Sequence, residues 1–272
     1  MTEIKEGQSA ELLKELHILT QDGKMNQDSR RKLKQVYHLY NFIEPLLKKL
    51  SEEGTSINLV DHGAGKSYLG FIIYDLFFKD SKNAGHVYGI ETRNELIEKS
   101  KVLQKKLGFK DMSFINTTVK ESGSLDSIPE NVEIVTALHA CDTATDDAIS
   151  FALQKKAKHI VLIPCCQAEV ASLLRQNKKF SLSSPMVELY RHAIHTREFG
   201  SHITNVLRCL QLESYGYDVT VTELVGFEHS MKNELIIATQ KNKQTKNAKE
   251  RINALLTEFK IQELKDKFLT AP

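Results

Sequence analysis

From Ile57 onward the chain alternates short apolar runs with helix-length segments, and that alternation leaves few folds open. The runs are Ile57 to Val60, His86 to Ile90, Met112 to Ile115, Val132 to Leu138 and His159 to Ile163. Parallel strands need long crossover connections, usually helices, so the spacing predicts β-α units and a parallel sheet. Further on, Tyr217 to Leu224 and Glu234 to Thr239 are joined only by Phe227 to Asn233, a gap too short for a crossover. Those two segments are expected to pair as an antiparallel hairpin. The expected class is α/β, with a seven-stranded sheet that is mostly parallel and ends in that hairpin.

Helical periodicity flanks the alternating region. One amphipathic pattern lies around Ala10 to Leu19, and a longer one runs from about Ser29 to Leu50, with Leu33, Val36, Tyr37, Tyr40, Ile43 and Leu47 on one face. Three parts are expected: a helical extension over 1–52, a sheet domain over 53–240, and a basic linker with a C-terminal helix over 241–272. Within the sheet domain, a polar stretch of about 175–201, rich in His and Arg, reads as an insertion. A helix from about His202 to Tyr215 follows it. The last helix is expected to carry Ile252, Leu255, Leu256, Phe259, Leu264 and Phe268 on one continuous face.

Hydrophobic residues make up 41% and charged residues 26%, as in ordinary soluble proteins, and no long uncharged apolar run or signal peptide stands out. No membrane association is expected, and a cytoplasmic location is. Cys141, Cys165, Cys166 and Cys209 lack the spacing of a disulfide framework, which suits a reducing compartment. A net charge of +2 is nearly balanced, so a nucleic-acid argument has to come from local patches.

The chemistry gathers where the first strand ends, in Asp61-His62-Gly63-Ala64-Gly65-Lys66-Ser67. Gly65-Lys66-Ser67 matches the end of a phosphate-binding P-loop, but Val60 stands where that loop needs its first glycine. A dinucleotide fingerprint fits no better, because Tyr68 occupies the site of its third glycine. The alternative is a D-x-G-x-G turn from strand to helix, whose glycines let a ligand approach the backbone beyond the carboxyl ends of the strands. Glu91 ends the second strand, where a carboxylate can accept from both hydroxyls of a ribose. Together they predict a nucleoside pocket.

These residues, with the terminal hairpin, resemble the class I S-adenosylmethionine-dependent methyltransferases, a Rossmann-like family, over about Ile57 to Thr239. The resemblance implies S-adenosyl-L-methionine as cofactor. It implies Asp61, Gly63 and Gly65 around its methionine and ribose portions, Glu91 on the ribose, and Asn116 with Thr117 beside the adenine. Lys66, Leu138 and His139 complete the expected cofactor shell.

Ala137-Leu138-His139-Ala140-Cys141-Asp142 follows the fourth strand, where the crevice of such a sheet lies. His139 is the candidate base, since its ordinary pKa is near neutrality. Asp142 and Asp146 either orient a partner or cap the next helix. Cys165 and Cys166, after the fifth strand, fit a nucleophile, a metal ligand or simple packing; paired cysteines lack C-x-x-C spacing, so no metal is expected.

His139-x-Cys141-Asp142-x-Ala144-Thr145-Asp146 and Cys165-Cys166, taken with the glycine turn, are similar to the tRNA acceptor-stem 2′-O-methyltransferases and to the methyltransferase-like 25 proteins and their bacterial relatives. Phe227 to Asn233 looks most like the bacterial branch. That resemblance implies RNA, ribosomal or transfer, as the substrate. Three basic clusters are consistent with it: Arg30, Arg31, Lys32 and Lys34; Arg191, His192, His195 and Arg197; and Lys241, Lys243 and Lys246. Tyr37 and Tyr190 are candidates for stacking on bases. Small-molecule methylation, with 175–201 as a lid, and a non-catalytic cofactor-binding module are the alternatives.

Overall fold

The computed structural model describes residues 4–81, 85–138, 140, 142–164, 167–177, 185–224, 234–241 and 247–270. His139, Cys141, Cys165, Cys166, the connection over 227–233, Lys243 and Lys246 lie outside the described residues.

Each predicted apolar run forms a strand: β1 Asn58–His62, β2 His86–Glu91, β3 Met112–Asn116, β4 Ile134–Ala137, β5 His159–Leu162, β6 Tyr217–Glu223 and β7 Glu234–Gln240. They join in one seven-stranded sheet of order β3-β2-β1-β4-β5-β7-β6. The first five strands are parallel, and β7 runs antiparallel between β5 and β6, pairing Tyr217 with Gln240 through Glu223 with Glu234. The chain moves outward from β1 to β3, then returns to the other side of β1 as β4. That reversal opens a crevice above the carboxyl ends of β1 and β4, where open α/β sheets bind ligands.

Successive strand residues point to opposite faces. Leu59, Ile134 and Val161 enter a cluster with α1 Ala10–Glu15, α2 Gln27–Glu52, α3 Tyr68–Ile73 and α4 Asn94–Leu107. Val60, Val135, Ile160 and Leu162 enter another with α6 Thr143–Gln154, while α5 is the short turn Val119–Ser122. The two N-terminal helices thus share the core of the sheet. Asn26 caps α2 through a 2.8 Å bond from the Ser29 amide, and Leu33, Leu39, Tyr40, Ile43, Leu47 and Leu50 make its buried stripe. A π-helical turn, Tyr74–Phe78, extends α3 and points the buried Asp75 carboxylate at the Ser9 amide, 2.7 Å away. Lys79 completes the anchor at 3.2 Å from Asp75.

The expected insertion is largely helical. After α7 Glu169–Gln176 and a 3-10 turn over Pro185–Tyr190, α8 spans Ala193–Ser214 and begins well before His202. Its first turns read as polar loop, but Gly200 lets them approach α7 so closely that a Cβ there would meet the Ala171 backbone at 2.7 Å. The last helix is also corrected: it breaks into α9 Ala248–Glu258 and α10 Lys265–Leu269, with Lys260 between them at φ 54°. Ile252, Leu256, Leu264 and Phe268 still share one core with α7 and α8. Among the described residues no helix is long and apolar enough to cross a membrane.

Candidate cofactor site

The crevice holds a cavity of about 550 Å³, within the usual range for small-molecule sites. Its floor is the turn after β1. Gly63 and Gly65 have φ of 65° and 59°, the left-handed region that glycine enters without strain. The Gly65 amide donates to Glu91 Oε2 at 2.9 Å, and the Ala64 amide to the Ile90 carbonyl at 3.0 Å. The turn is thereby tied to the end of the neighbouring strand.

Asp61 and Glu91 both line the cavity, in opposite electrostatic states. Asp61 is 3% exposed and accepts a hydrogen bond from Thr136 Oγ1 at 2.6 Å. Among the described residues no Lys or Arg pairs with it, and burial pushes its carboxyl up to about 7. Burial acts on Glu91 in the same direction, but bonds from the Arg93 side chain, the Arg93 amide and the Gly65 amide hold it down at about 2. Arg93 Nε and Nη2 lie 3.0 and 3.1 Å from the two carboxylate oxygens. Arg93 also lines the cavity and was invisible to the motif reading, since it lies two residues past Glu91 with no periodic signal.

Of the other expected cofactor residues, Lys66, Thr117 and Leu138 line the cavity. Asn116 lies behind it: its amide donates to the carbonyls of Glu91 and Thr92 at 2.9 and 2.8 Å, bracing the turn that presents Glu91. Val36 and Leu39 of α2, with Tyr68 and Leu69 of α3, form an apolar wall, and Ala140 and Ala144 face it from the β4 side. His62 points to the opposite face, where it packs on Phe151 and meets Ser122 Oγ at 3.2 Å; burial lowers its pKa to about 3.

The P-loop resemblance ends at Ser67. Its backbone is left-handed at φ 53°, its side chain is buried, and its hydroxyl has no hydrogen-bond partner among the described residues. A P-loop hydroxyl would have to reach a metal ion beside the phosphates.

Capping is not what Asp142 and Asp146 do. Asp142 stands at the N-cap position of α6 without a side-chain cap bond, and its Oδ1 accepts from the Ala168 amide at 3.0 Å. Asp146 pairs with Arg208 at 2.6 Å. Tyr190 is buried with Val170, Leu174 and Ile203, so it presents no stacking face. Tyr37 is half-buried, its hydroxyl bonded to Gln8.

A β1 turn at the strand reversal, an acidic side chain one residue before the end of β1 and another ending β2, and an antiparallel β7 define a Rossmann-like α/β domain of the methyltransferase type. Residues 31–173 match a family described as "Methyltransferase domain", and the chain belongs to that family. No curated protein matches it. Solved structures similar to it include precorrin-6y C5,15-methyltransferase from Geobacter metallireducens, at 16% identity over 68% of this chain and 80% of that one, with a TM-score of 0.40. An rRNA methylase from Streptococcus thermophilus is similar at 10% identity over 68% and 87%, with a TM-score of 0.42. Magnesium protoporphyrin IX methyltransferase from Synechocystis PCC 6803, with bound SAH, is similar at 13% identity over 84% and 94%, with a TM-score of 0.43.

Proposed function

We propose that this enzyme methylates ribosomal or transfer RNA in the cytoplasm, holding S-adenosylmethionine among Asp61, Gly63, Gly65, Lys66, Glu91, Thr117 and Leu138. The observation that carries the cofactor assignment is Asp61, a buried carboxylate facing the cavity, which among the described residues has a single hydroxyl donor and no cation beside it. Such a group favours a ligand that brings positive charge, and the cofactor carries both an ammonium and a sulfonium. Gly63 and Gly65 leave the backbone open to close approach, and Glu91 supplies an acceptor for ribose hydroxyls once Arg93 yields part of it.

The bound cofactor supplies an electrophilic methyl group. The chain's own task is to bring a nucleophile into line with it, and such positioning is worth several orders of magnitude in rate. His139 is the proposed base, supported by its neighbours Leu138 and Ala140, which both line the cavity. Cys165 and Cys166 stay proposed as catalytic candidates from their position after β5. Free Cys209 is no candidate, because burial pushes its thiol up to about 12.

RNA as substrate draws support from α2. Val36 and Leu39 of this helix wall the cofactor cavity, while Arg30, Lys34, Tyr37 and His38 line a second cavity of about 590 Å³. A basic, partly aromatic groove on the same helix fits a phosphodiester chain better than an apolar metabolite. The α8 cluster is weaker support, since Arg191 and Arg197 pair with Glu188 and Glu198.

Tritium transfer from labelled cofactor into fractionated cell extract tests the proposal. Label in ribosomal or transfer RNA supports it, and label confined to metabolites or protein removes it. Tight cofactor binding with no label in any fraction would instead mark a non-catalytic binding module.

A further inference from the structure

Behind the wall made by Leu138, Ala140 and Ala144 lies a buried polar cluster whose residues do not line the cavity. Its centre is Arg208 on α8, which is 0% exposed. Nε donates to Asp146 Oδ1 on α6 at 2.6 Å, and Nη2 to the Asp142 carbonyl at 2.8 Å. Nη1 donates to Asn205 Oδ1 at 3.3 Å, an oxygen that also accepts from Gln167 Nε2 at 3.0 Å. Asn205 Nδ2 in turn reaches Glu234 of β7 at 2.9 Å. The Ala168 amide closes the circuit on Asp142 Oδ1 at 3.0 Å. The guanidinium, with Asn205 as its relay, therefore joins the segment after β4 to the segment after β5 and to β7.

Asp142 is strained. Its φ of 52° and ψ of −120° are values that glycine adopts freely and an L-residue avoids. Strain of this kind persists only where the surroundings over-determine it. Three contacts among the described residues do so here: Arg208 Nη2 and the Thr145 amide on the Asp142 carbonyl, at 2.8 and 3.3 Å, and the Ala168 amide on its carboxylate. Stability does not explain a buried guanidinium well, because apolar side chains of similar volume often serve as well or better. Geometric specification does.

We propose that Arg208 is a positioning residue for methyl transfer: it holds Asp142 in its strained conformation and so sets the Leu138–Ala140 wall of the cavity against the segment that follows β5. The inference rests on the reading of this cavity as the transfer site. The step itself adds no chemistry, since Arg208 touches neither cofactor nor substrate.

The test uses the full chain as wild type, Arg208→Gln, Arg208→Lys, Asp142→Gly, and Arg208→Gln with Asp142→Gly. Amide exchange between Leu138 and Asp146 is expected to rise about tenfold or more in Arg208→Gln, while the β1 and β2 amides stay protected. Affinity for S-adenosylhomocysteine, by calorimetry, is expected to stay within about threefold, because Asp61 and Glu91 are untouched, while labelled-methyl transfer falls about 10²-fold. Adding Asp142→Gly is expected to restore most of the lost protection and transfer, because glycine needs no clamp at this φ and ψ. Arg208→Lys is expected to fall between wild type and Arg208→Gln, and its exchange near Asp142 serves as the measurement where Arg208→Gln does not fold. A uniform rise in exchange along the chain, unchanged exchange near Asp142, or no recovery in the double variant would each overturn the proposal. Failure of wild type to bind S-adenosylhomocysteine would remove the cavity reading instead, and exchange near Asp142 would still decide what Arg208 holds.

Discussion

The amide of Gly65 donates to Glu91 Oε2 at 2.9 Å, so the glycine turn after β1 is anchored by the carboxylate that ends β2. Turn and carboxylate are one unit, and a change at either end is felt at the other. The cavity at the end of β1 is lined by both partners of that bond.

Glu91→Ala removes the anchor of the turn and the partner of Arg93 together. Hydrogen bonds to a charged group contribute about 1.5–3 kcal/mol each, so affinity for S-adenosylhomocysteine should fall by about 10²-fold. Glu91→Gln, which keeps the shape and loses the charge, should fall less. Calorimetric titration of both variants checks this, and an unchanged affinity in Glu91→Ala would contradict it.

Asp61 predicts a pH dependence of opposite sign in free and bound protein. Its folded pKa, about 7, lies above its ordinary value of 3.8. An acid raised in this way lends stability fully below the ordinary value and loses it as pH rises through the folded one. The free protein should therefore lose stability between roughly pH 4 and 7, and Asp61→Asn should flatten that loss. Binding of the cationic cofactor should tighten over pH 6 to 8, by at most about tenfold per unit, because only the ionised carboxylate attracts it. Denaturant melts and calorimetry across pH report the two slopes; a flat binding curve in wild type would be the contrary result.

Ser67 and Gly70 should behave as a coupled pair. A Cβ on Gly70 would lie 2.6 Å from Ser67 Oγ, so Gly70→Ala should destabilise by about 1–3 kcal/mol. Ser67→Ala removes a buried hydroxyl that has no partner among the described residues and should be close to neutral. The double variant should recover part of the Gly70→Ala loss, which thermal unfolding of the three proteins measures. Full additivity would show that the contact does not set the position of α3.

Asp75 anchors the N-terminal segment. Asp75→Ala leaves the Ser9 amide and Lys79 without their carboxylate partner, and a lost buried bond of this kind removes about 2–3 kcal/mol. Limited proteolysis should then cut near residues 5–9 before any other part of the chain opens. Cleavage at the same rate as in wild type would argue against the anchor.

Much of this protein is written locally. The apolar runs, the glycine turn and the two strand-end carboxylates depend on neighbours within a few residues, and all of them stand where the alternation of the chain puts them. The short gap before Glu234 likewise left only a hairpin possible, and β6 and β7 pair as one. Other features are decided over long separations. Arg208 lies 62 residues from Asp146, and no periodic pattern links them. Asn116 stands after β3, where the spacing puts it, but the bond from its amide nitrogen to the Glu91 carbonyl, 25 residues away, follows from no local pattern. The first turns of α8 are polar in composition and are helical because Gly200 lets α7 come close. Composition and spacing act within one element, and so they set the class of fold and the location of the crevice. The protonation of Asp61, the strain at Asp142 and the pairing of Glu91 with Arg93 arise from burial and from partners that meet only after the sheet has closed, because desolvation and hydrogen bonding are properties of the assembled interior.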